Sequence, residues 1–145
     1  MDKIERLENL IVNKLIELNT ANIAKTIAAE PESDDEKMNL DALPAIYVTF
    51  AGESDEQSGL GDCYDYKISF DITMYIKDLR HKRLAKAVLY DLIAMVRELK
   101  HDNLGYNEIE NLVPERISKI ETLNNIYRCM YTFSTTINSE ANIGE

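Results

Sequence analysis

The segment YDYKISFDITMYI, residues 64–76, decides the fold. Apolar or aromatic side chains alternate with polar ones through all thirteen positions, beginning with Tyr64 and ending with Ile76. Period-two alternation is typical of a β-strand with one buried face. At about 3.3 Å per residue such a strand is roughly 40 Å long, more than a small core needs. We therefore expect one end to project and to be available for pairing.

An amphipathic helix is predicted on each side of this strand. Residues 2–19 form the first, with Asn19 and Asn22 as its expected stop, and the second follows the N-cap residue Asp78 and stops by Gly105. Their apolar positions recur every three or four residues, which indicates one buried stripe on each helix. These positions are Ile4, Leu7, Ile11, Leu15 and Leu18, widened by Leu10 and Ile16, and then Leu84, Ala85, Val88, Leu89, Leu92, Ile93, Val96 and Leu99.

Four further segments favour strands. Residues 45–51 (AIYVTFA) are rich in β-branched and aromatic types, and residues 22–30 (NIAKTIAAE) favour a short strand over more helix. Residues 116–122 and about 126–137 read as a closing hairpin, because the asparagines at its turn tolerate the left-handed backbone that a tight turn demands. The last strand places one set of side chains on one face: Tyr127, Cys129, Tyr131, Phe133 and Ile137.

These elements predict an α+β fold, a mostly antiparallel sheet of four or five strands with two amphipathic helices packed on one face. The other sheet face is expected to be polar. A chain of 145 residues without repeats forms one domain, residues 1–145. Within it, 30–41 and 52–63 read as acidic loops and 138–145 as a flexible tail.

Composition excludes several classes of protein. Twenty-six acidic against sixteen basic side chains give a net charge of −10, which argues against a protein that grips nucleic acid by its phosphates. No run of 18 apolar residues occurs, and the start MDKIERLENL lacks the pattern of a signal peptide, so we expect no membrane contact. Two cysteines, Cys63 and Cys129, are too few for a disulfide framework and fit reduced thiols in the cytoplasm, with Cys129 in the core.

The side chains that usually carry chemistry are poorly arranged for it. His81 and His101 lie about twenty residues apart on one predicted helix, roughly 30 Å, too far to share a metal. Cys63 has acidic neighbours rather than the cation that would create a thiolate. The paired carboxylates lie in polar loops that cannot raise a pKa for acid catalysis. We therefore expect no enzyme, no cofactor and no metal site.

Charge segregation is the feature that stands out. Residues 30–41 carry a net −5 and residues 52–63 a net −4, whereas residues 77–86 (KDLRHKRLAK) carry +4. The plain interpretation is solvated loops and a solvated helix start. The sharper one is a head-to-tail contact in which a basic face meets an acidic loop of the next subunit. Its candidate residues are Lys77, Arg80, Lys82, Arg83 and Lys86 on the basic side, and Asp34, Asp35, Glu36, Glu53, Asp55 and Glu56 on the acidic side.

The order of elements resembles a known protein family. LPAIYVTFAG (43–52) precedes the long alternating strand, and LYDLIAMVRELK (89–100) and YRCMYTFSTTI (127–137) follow it. From Ile4 to Ile137 this layout is similar to the tail terminator, or tail completion, proteins of long-tailed bacteriophages, especially the small family found in Mu-like prophages. Leu43-Pro44-Ala45 is the most specific local feature of the resemblance.

The resemblance implies a structural, non-enzymatic role. Such proteins form homo-hexameric rings that cap the tail tube at its set length and provide the surface that joins the head. The implied partners are further copies of the chain, the tail tube protein and head–tail connector proteins, with DNA only as the passing genome and no membrane. The resemblance also implies that the protein assembles in the bacterial cytoplasm and ends in the virion tail. Residues 52–63 are then expected at the lumen or the tube-contacting face, and 30–41 at the other.

Two other interpretations remain open from the sequence. Another phage neck component, such as a head-completion adaptor, is equally structural, and the identity of neighbouring genes separates it from a terminator. A small α+β ligand-binding regulatory domain shares the sheet-and-two-helix layout, because fold does not fix function. It would need a pocket with converging polar groups, of which the sequence gives no sign.

Overall fold

The structure, a computed structural model, describes most of the chain. The described residues are 3–29, 42–57, 64–77, 82–100, 102–105, 111–123 and 125–138. They contain two helices and six strands, in the order α1 (Lys3–Leu18), β1 (Thr26–Ala29), β2 (Ala45–Gln57), β3 (Tyr64–Lys77), α2 (Lys82–Arg97), β4 (Val113–Ile117), β5 (Glu121–Leu123) and β6 (Ile126–Asn138). The predicted N-cap Asp78, the loop 30–41 and residues 139–145 of the predicted tail lie outside the described residues.

The strands form one sheet in the order β1-β2-β3-β6-β4, and β5 also pairs with β6. Every pairing is antiparallel except that of β1 with β2. Helix α1 packs against β1 and β2, and α2 packs against β3 and β6. The apolar residues of both helices share one core with one face of the sheet. The predicted α+β fold with two helices on one sheet face is therefore confirmed.

Strand β3 is paired on both sides along nearly its whole length. Its pairing with β2 begins at Tyr64 opposite Gln57, and its pairing with β6 ends at Lys77 opposite Ile126. The expectation of a projecting end was wrong, because β2 and β6 are as long as β3 and accompany it. We call these three strands, β2, β3 and β6, the central ribbon.

The alternation of β3 puts its apolar side chains towards the helices, as predicted. One strand and both helices provide buried side chains to this core. They include Ile68, Phe70, Ile72, Met74 and Ile76 of β3, Leu7, Ile11 and Leu15 of α1, and Leu89, Leu92 and Val96 of α2. Cys129 lies in the same core, as expected. Ile16, predicted to widen the stripe of α1, is instead 53% exposed. It is five residues from Ile11, which turns it about 140° around the helix.

Strand β2 continues well beyond its predicted end. The sequence predicts a strand over 45–51 and a loop over 52–63, but residues 52–57 pair with β3. The register shifts between Phe50 and Gly52, where Gly52 has φ +138°, so a bulge accommodates the glycine and pairing resumes. The loop prediction was therefore wrong for 52–57, because pairing with a strong neighbouring strand overrides the low β propensity of ESDEQ.

The predicted strand 116–122 is two short strands, β4 and β5, which raises the strand count above the predicted four or five. At the break, Ser118 N donates to Met130 O at 2.8 Å while Met130 N donates to the Ser118 hydroxyl at 2.9 Å. A serine side chain thus takes the place of a backbone carbonyl and interrupts the ladder. β4 also includes Pro114 beside a bulge, which is tolerated because β4 is an edge strand.

The predicted tight turn between the last two strands is confirmed. Leu123 pairs with Ile126 across two intervening residues, and Asn125 has φ +66°. Asparagine is one of the few side chains that adopt this left-handed backbone at low cost. The end of α1 also follows prediction, since Asn19 follows Leu18 and its side chain accepts from Ala24 N at 3.1 Å.

The sheet face away from the helices, here called the open face, is only partly polar. At one end it holds a second apolar cluster of Leu43, Ala45, Tyr47, Tyr75 and Ile126, all at most 5% exposed. The rings of Tyr47 and Tyr75 meet edge to face with centroids 5.8 Å apart. The alternation in residues 64–76 places Tyr75 at a polar position, but in the structure Tyr75 is buried in this second cluster. A tyrosine has a large apolar body, so it can be buried once a second aromatic ring lies beside it.

Removal of a core side chain tests the central ribbon. Phe70 is fully buried in the middle of β3, and Phe70→Ala is expected to lower the free energy of unfolding by about 3–5 kcal/mol. Tyr90, which is 56% exposed on α2, provides a control: Tyr90→Ala is expected to change it by less than about 0.5 kcal/mol. Urea unfolding followed by circular dichroism measures both, and equal effects would contradict this core.

Candidate functional site

Charges of opposite sign lie at opposite ends of the central ribbon. One end carries Glu53, Asp55 and Glu56 of β2, together with Asp65 of β3. The other end carries Lys77, after which α2 begins at Lys82. The two ends of β3 are separated by thirteen residue steps, roughly 40 Å. The acidic end and the basic end therefore cannot neutralise each other within one subunit.

The predicted interface residues divide into three groups in the structure. Glu53 and Lys86 are exposed on β2 and α2, and Lys77 is half-buried at the end of β3. Asp55, Glu56, Lys82 and Arg83 are placed by their backbones in β2 and in the start of α2. Asp34, Asp35, Glu36 and Arg80 lie outside the described residues. The structure thus orders part of the acidic segment as strand and fixes the start of the basic helix at the far end of the ribbon.

At the basic end, the sequence at the start of α2 opposes the helix dipole. The first turn of α2 contains no acid but begins with Lys82 and Arg83. Cations at a helix N-terminus oppose its dipole, at about 0.3–1 kcal/mol each. Charges that weaken the monomer are expected where a partner of opposite charge binds.

The open face beyond the apolar cluster carries short polar side chains in rows across the ribbon. The Thr132 hydroxyl donates to Asp71 Oδ1 at 2.6 Å, which joins β6 to β3. The Ser134 hydroxyl, 3% exposed, donates to Glu115 of β4, and Lys67 Nζ lies 3.3 Å from the same carboxylate. The hydroxyl side chains of this face are Thr49, Ser69, Thr73, Thr132, Ser134 and Thr136. This part of the open face therefore carries hydroxyl side chains and a few paired charges.

The Glu115 carboxylate ties the edge strand β4 to the ribbon. The hydrogen bond from Ser134 lowers the pKa of Glu115, Lys67 lowers it further, and burial opposes both. Glu115 therefore stays ionised while it holds β4 against β6 and β3. This network was not predicted, because its members are far apart in the sequence and only the sheet register brings them together.

A groove of about 370 Å³ lies between α1 and the turn at 102–105, lined by Leu10, Asn13, Lys14, Glu17, Asp102, Leu104 and Gly105. Lys14 Nζ is 3.3 Å from Asp102 Oδ2 and 3.6 Å from a Glu17 carboxylate oxygen. The Asp102 hydrogen bond and charge raise the pKa of Lys14, so its amine is protonated and not nucleophilic. This groove therefore contains an ion pair between α1 and the turn at 102–105.

The described part of the chain offers little for a metal ion, a membrane or a reactive thiol. No group of three or more His, Cys, Asp or Glu side chains there is arranged to hold a metal ion. None of the described helices has the length and apolarity needed to cross a membrane. Burial raises the pKa of the Cys129 thiol, which disfavours the reactive thiolate.

Comparison with known proteins assigns the family. The model of the family described as "Bacteriophage Mu, Gp37" matches residues 3–134. The chain belongs to the bacteriophage Mu Gp37 family. No curated protein sequence matches it. Among solved structures, a chain of the "Virion of native gene transfer agent (GTA) particle" is similar in fold, with a TM-score of 0.54 and 14% sequence identity over 88% of this chain and 92% of that one.

Family membership supports a phage structural protein, and the similarity to the gene transfer agent chain shows a shared fold. The predicted relationship to a Mu-like phage tail protein is confirmed at this level. Membership of a phage structural family also favours a non-enzymatic role. The surfaces that a structural role would use in this Gp37-family protein are the two charged ends, the open face and the sheet edges.

The Glu115 network predicts a specific pH dependence. Because the folded-state pKa of Glu115 lies below its usual 4.5, the ionised carboxylate stabilises the fold above about pH 4.5, and this contribution is lost as the pH falls through the folded pKa. Glu115 is 37% exposed, so the effect is below about 1 kcal/mol. Glu115→Gln should therefore lower the free energy of unfolding at pH 7 but not at pH 3. Urea titrations at both values test this, with the exposed Glu98→Gln as control, and a pH-independent difference would contradict it.

Proposed function

We propose that this protein is a tail terminator, which caps the phage tail tube as a ring of identical subunits and provides the surface that joins the head. The observation that carries the proposal is the separation of charge along the central ribbon in a member of the Mu Gp37 family. A subunit with one acidic and one basic end attracts its own copies head to tail. Head-to-tail contacts of this kind close into a ring when the rotation between subunits permits.

The unfavourable charges of the monomer support the same proposal. Lys82 and Arg83 at the start of α2 oppose the helix dipole. When one end meets the other in a neighbouring copy, charges of opposite sign face each other. The candidate contact therefore consists of Lys77, Arg80, Lys82, Arg83 and Lys86 on one subunit and of Glu53, Asp55 and Glu56 on the next, with Asp34, Asp35 and Glu36 of the segment 30–41 as its further acidic part.

A ring of these subunits also needs a surface past which DNA can move. Acidic residues at the lumen repel phosphates and let a genome slide. Residues 52–63, of which 52–57 belong to β2, are our proposed lumen or tube-contacting segment, and 30–41 the second. The fold is shared with a chain of a gene transfer agent virion, which supports incorporation into a particle of this kind. Tail tube and head–tail connector proteins are the proposed partners, with assembly in the host cytoplasm.

Deletion of the gene tests the role directly. Without a terminator, tube polymerisation has no defined stop, so electron microscopy of lysates should show abnormally long tails or tails without heads. Expression of the protein from a plasmid should restore normal particles. If heads instead leak DNA while tails keep their length, the protein is a head-completion adaptor. Normal virions from the deletion strain would reject both roles.

Charge reversal at the start of α2 tests the contact. Lys82→Glu with Arg83→Glu replaces two cations by acids at the helix N-terminus, so the urea midpoint should stay the same or rise. Ring formation and tail completion should nevertheless decrease strongly at physiological salt. Lys25→Glu with Lys100→Glu, two exposed positions elsewhere, makes the same change in net charge and serves as control. Equal assembly of both double variants would reject the basic end as an interface.

A further inference from the structure

The sheet leaves two stretches of edge without a strand partner among the described residues. On one side, β1 pairs with β2 only as far as Val48. The next edge N–H, that of Phe50, donates to Glu8 Oε2 of α1 at 3.3 Å. Strand β2 then continues through Gln57 with only β3 beside it in the described structure. We call residues 51–57 the β2 edge.

On the other side, β4 is the outermost strand. It is five residues long and exposes two β-branched side chains, Val113 at 48% and Ile117 at 40%. Its carboxylate, Glu115, is turned to Lys67 and Ser134 within the subunit. Arg116, by contrast, is exposed, and the exposed Lys119 follows the strand. The outward charge of the β4 edge is therefore positive.

We propose that β4 of one copy adds to the β2 edge of a second copy, so that one sheet continues into the next. This pairing rests on the proposed ring for the identity of the partner. Because it uses the same acidic residues of β2, it is an alternative to the contact through the start of α2. Adding a strand satisfies exposed backbone N–H and C=O groups on both edges, except at Pro114 of β4, which has no N–H to donate.

Length and charge both fit this pairing. The β2 edge offers seven residues, enough for the five of β4. It carries three acids and no base, whereas β4 presents Arg116. Strand β1 and Glu8 already occupy the edge of β2 as far as Phe50. An added strand could therefore pair only with residues 51–57, which contain the three acids.

Other edge pairings fit less well. β1 spans only Thr26–Ala29 and carries no acid for Arg116. A symmetric pairing of β4 with β4 brings like charges together and ends at a dimer, because such a contact uses the same surface on both copies. Pairing of β4 with the β2 edge leaves one open edge at each end of any chain of subunits, which allows growth until a ring closes.

A charge swap tests the pairing. Arg116→Glu and Glu53→Arg each place like charges at the contact and should weaken self-association at low salt about tenfold, with the difference shrinking as salt rises. The double variant R116E/E53R should restore association. An equimolar mixture of the two single variants should also associate, in alternating copies, because every contact then joins opposite charges. Sedimentation velocity and native mass spectrometry measure all four samples.

Controls separate the pairing from folding and from the proposed function. Urea midpoints within error of the unaltered protein verify that the variants fold, and Lys25→Glu should associate normally. Amide exchange of residues 51–57 and 113–117 should slow with rising protein concentration. Absence of self-association in the unaltered protein, equal association of all variants, or no rescue by the double variant would overturn the pairing. Normal tail completion by R116E would reject the edge contact and leave the terminator role intact, whereas normal virions after deletion would reject the role itself.

Discussion

The rest of the structure depends on the pairing of β3 with β2 and β6 along nearly its whole length. This pairing fixes which side chains face the helices, because side chains alternate between faces along a strand. A slip of one residue would expose Phe70, Ile72 and Met74 and bury Asp71 and Thr73. The core residues of α1 and α2 then have one apolar surface to cover, and both helices lie on it. The sheet edges that remain exposed are those to which no further strand is added beside the central ribbon in the described structure.

The parts of the fold with strong local signals could be predicted from the sequence. The alternation in 64–76, the apolar stripe of α1 and the turn at Asn125 each depend on neighbouring residues. The strand over 52–57 could not be predicted, since ESDEQ pairs only because β3 lies beside it. The break at Ser118 depends on a hydrogen bond to Met130, twelve residues away. In both cases the prediction failed because the structure depends on contacts with a segment that is distant in the sequence.

The candidate surfaces show the same division. Charge segregation is visible in the sequence, but its geometry is not: only the sheet register puts the acidic and basic segments at opposite ends of one strand. The β4 edge had a weak local signal in Pro114, which favours an edge strand. The exposure of Val113 and Ile117 could not be predicted, since a β-branched pattern does not tell which strand lies outermost.

The features that fit a single copy least well are the ones that the proposed assembly would use. A well-optimised single copy would have acids and not Lys82 and Arg83 at the start of α2. It would also cover Val113 and Ile117 or replace them with charged residues, because exposed β-branched edges promote association. These departures lie at one end of the central ribbon and on the outermost strand β4, and they lie outside the core. The core therefore holds these charges and this edge in the positions that the proposed contacts require.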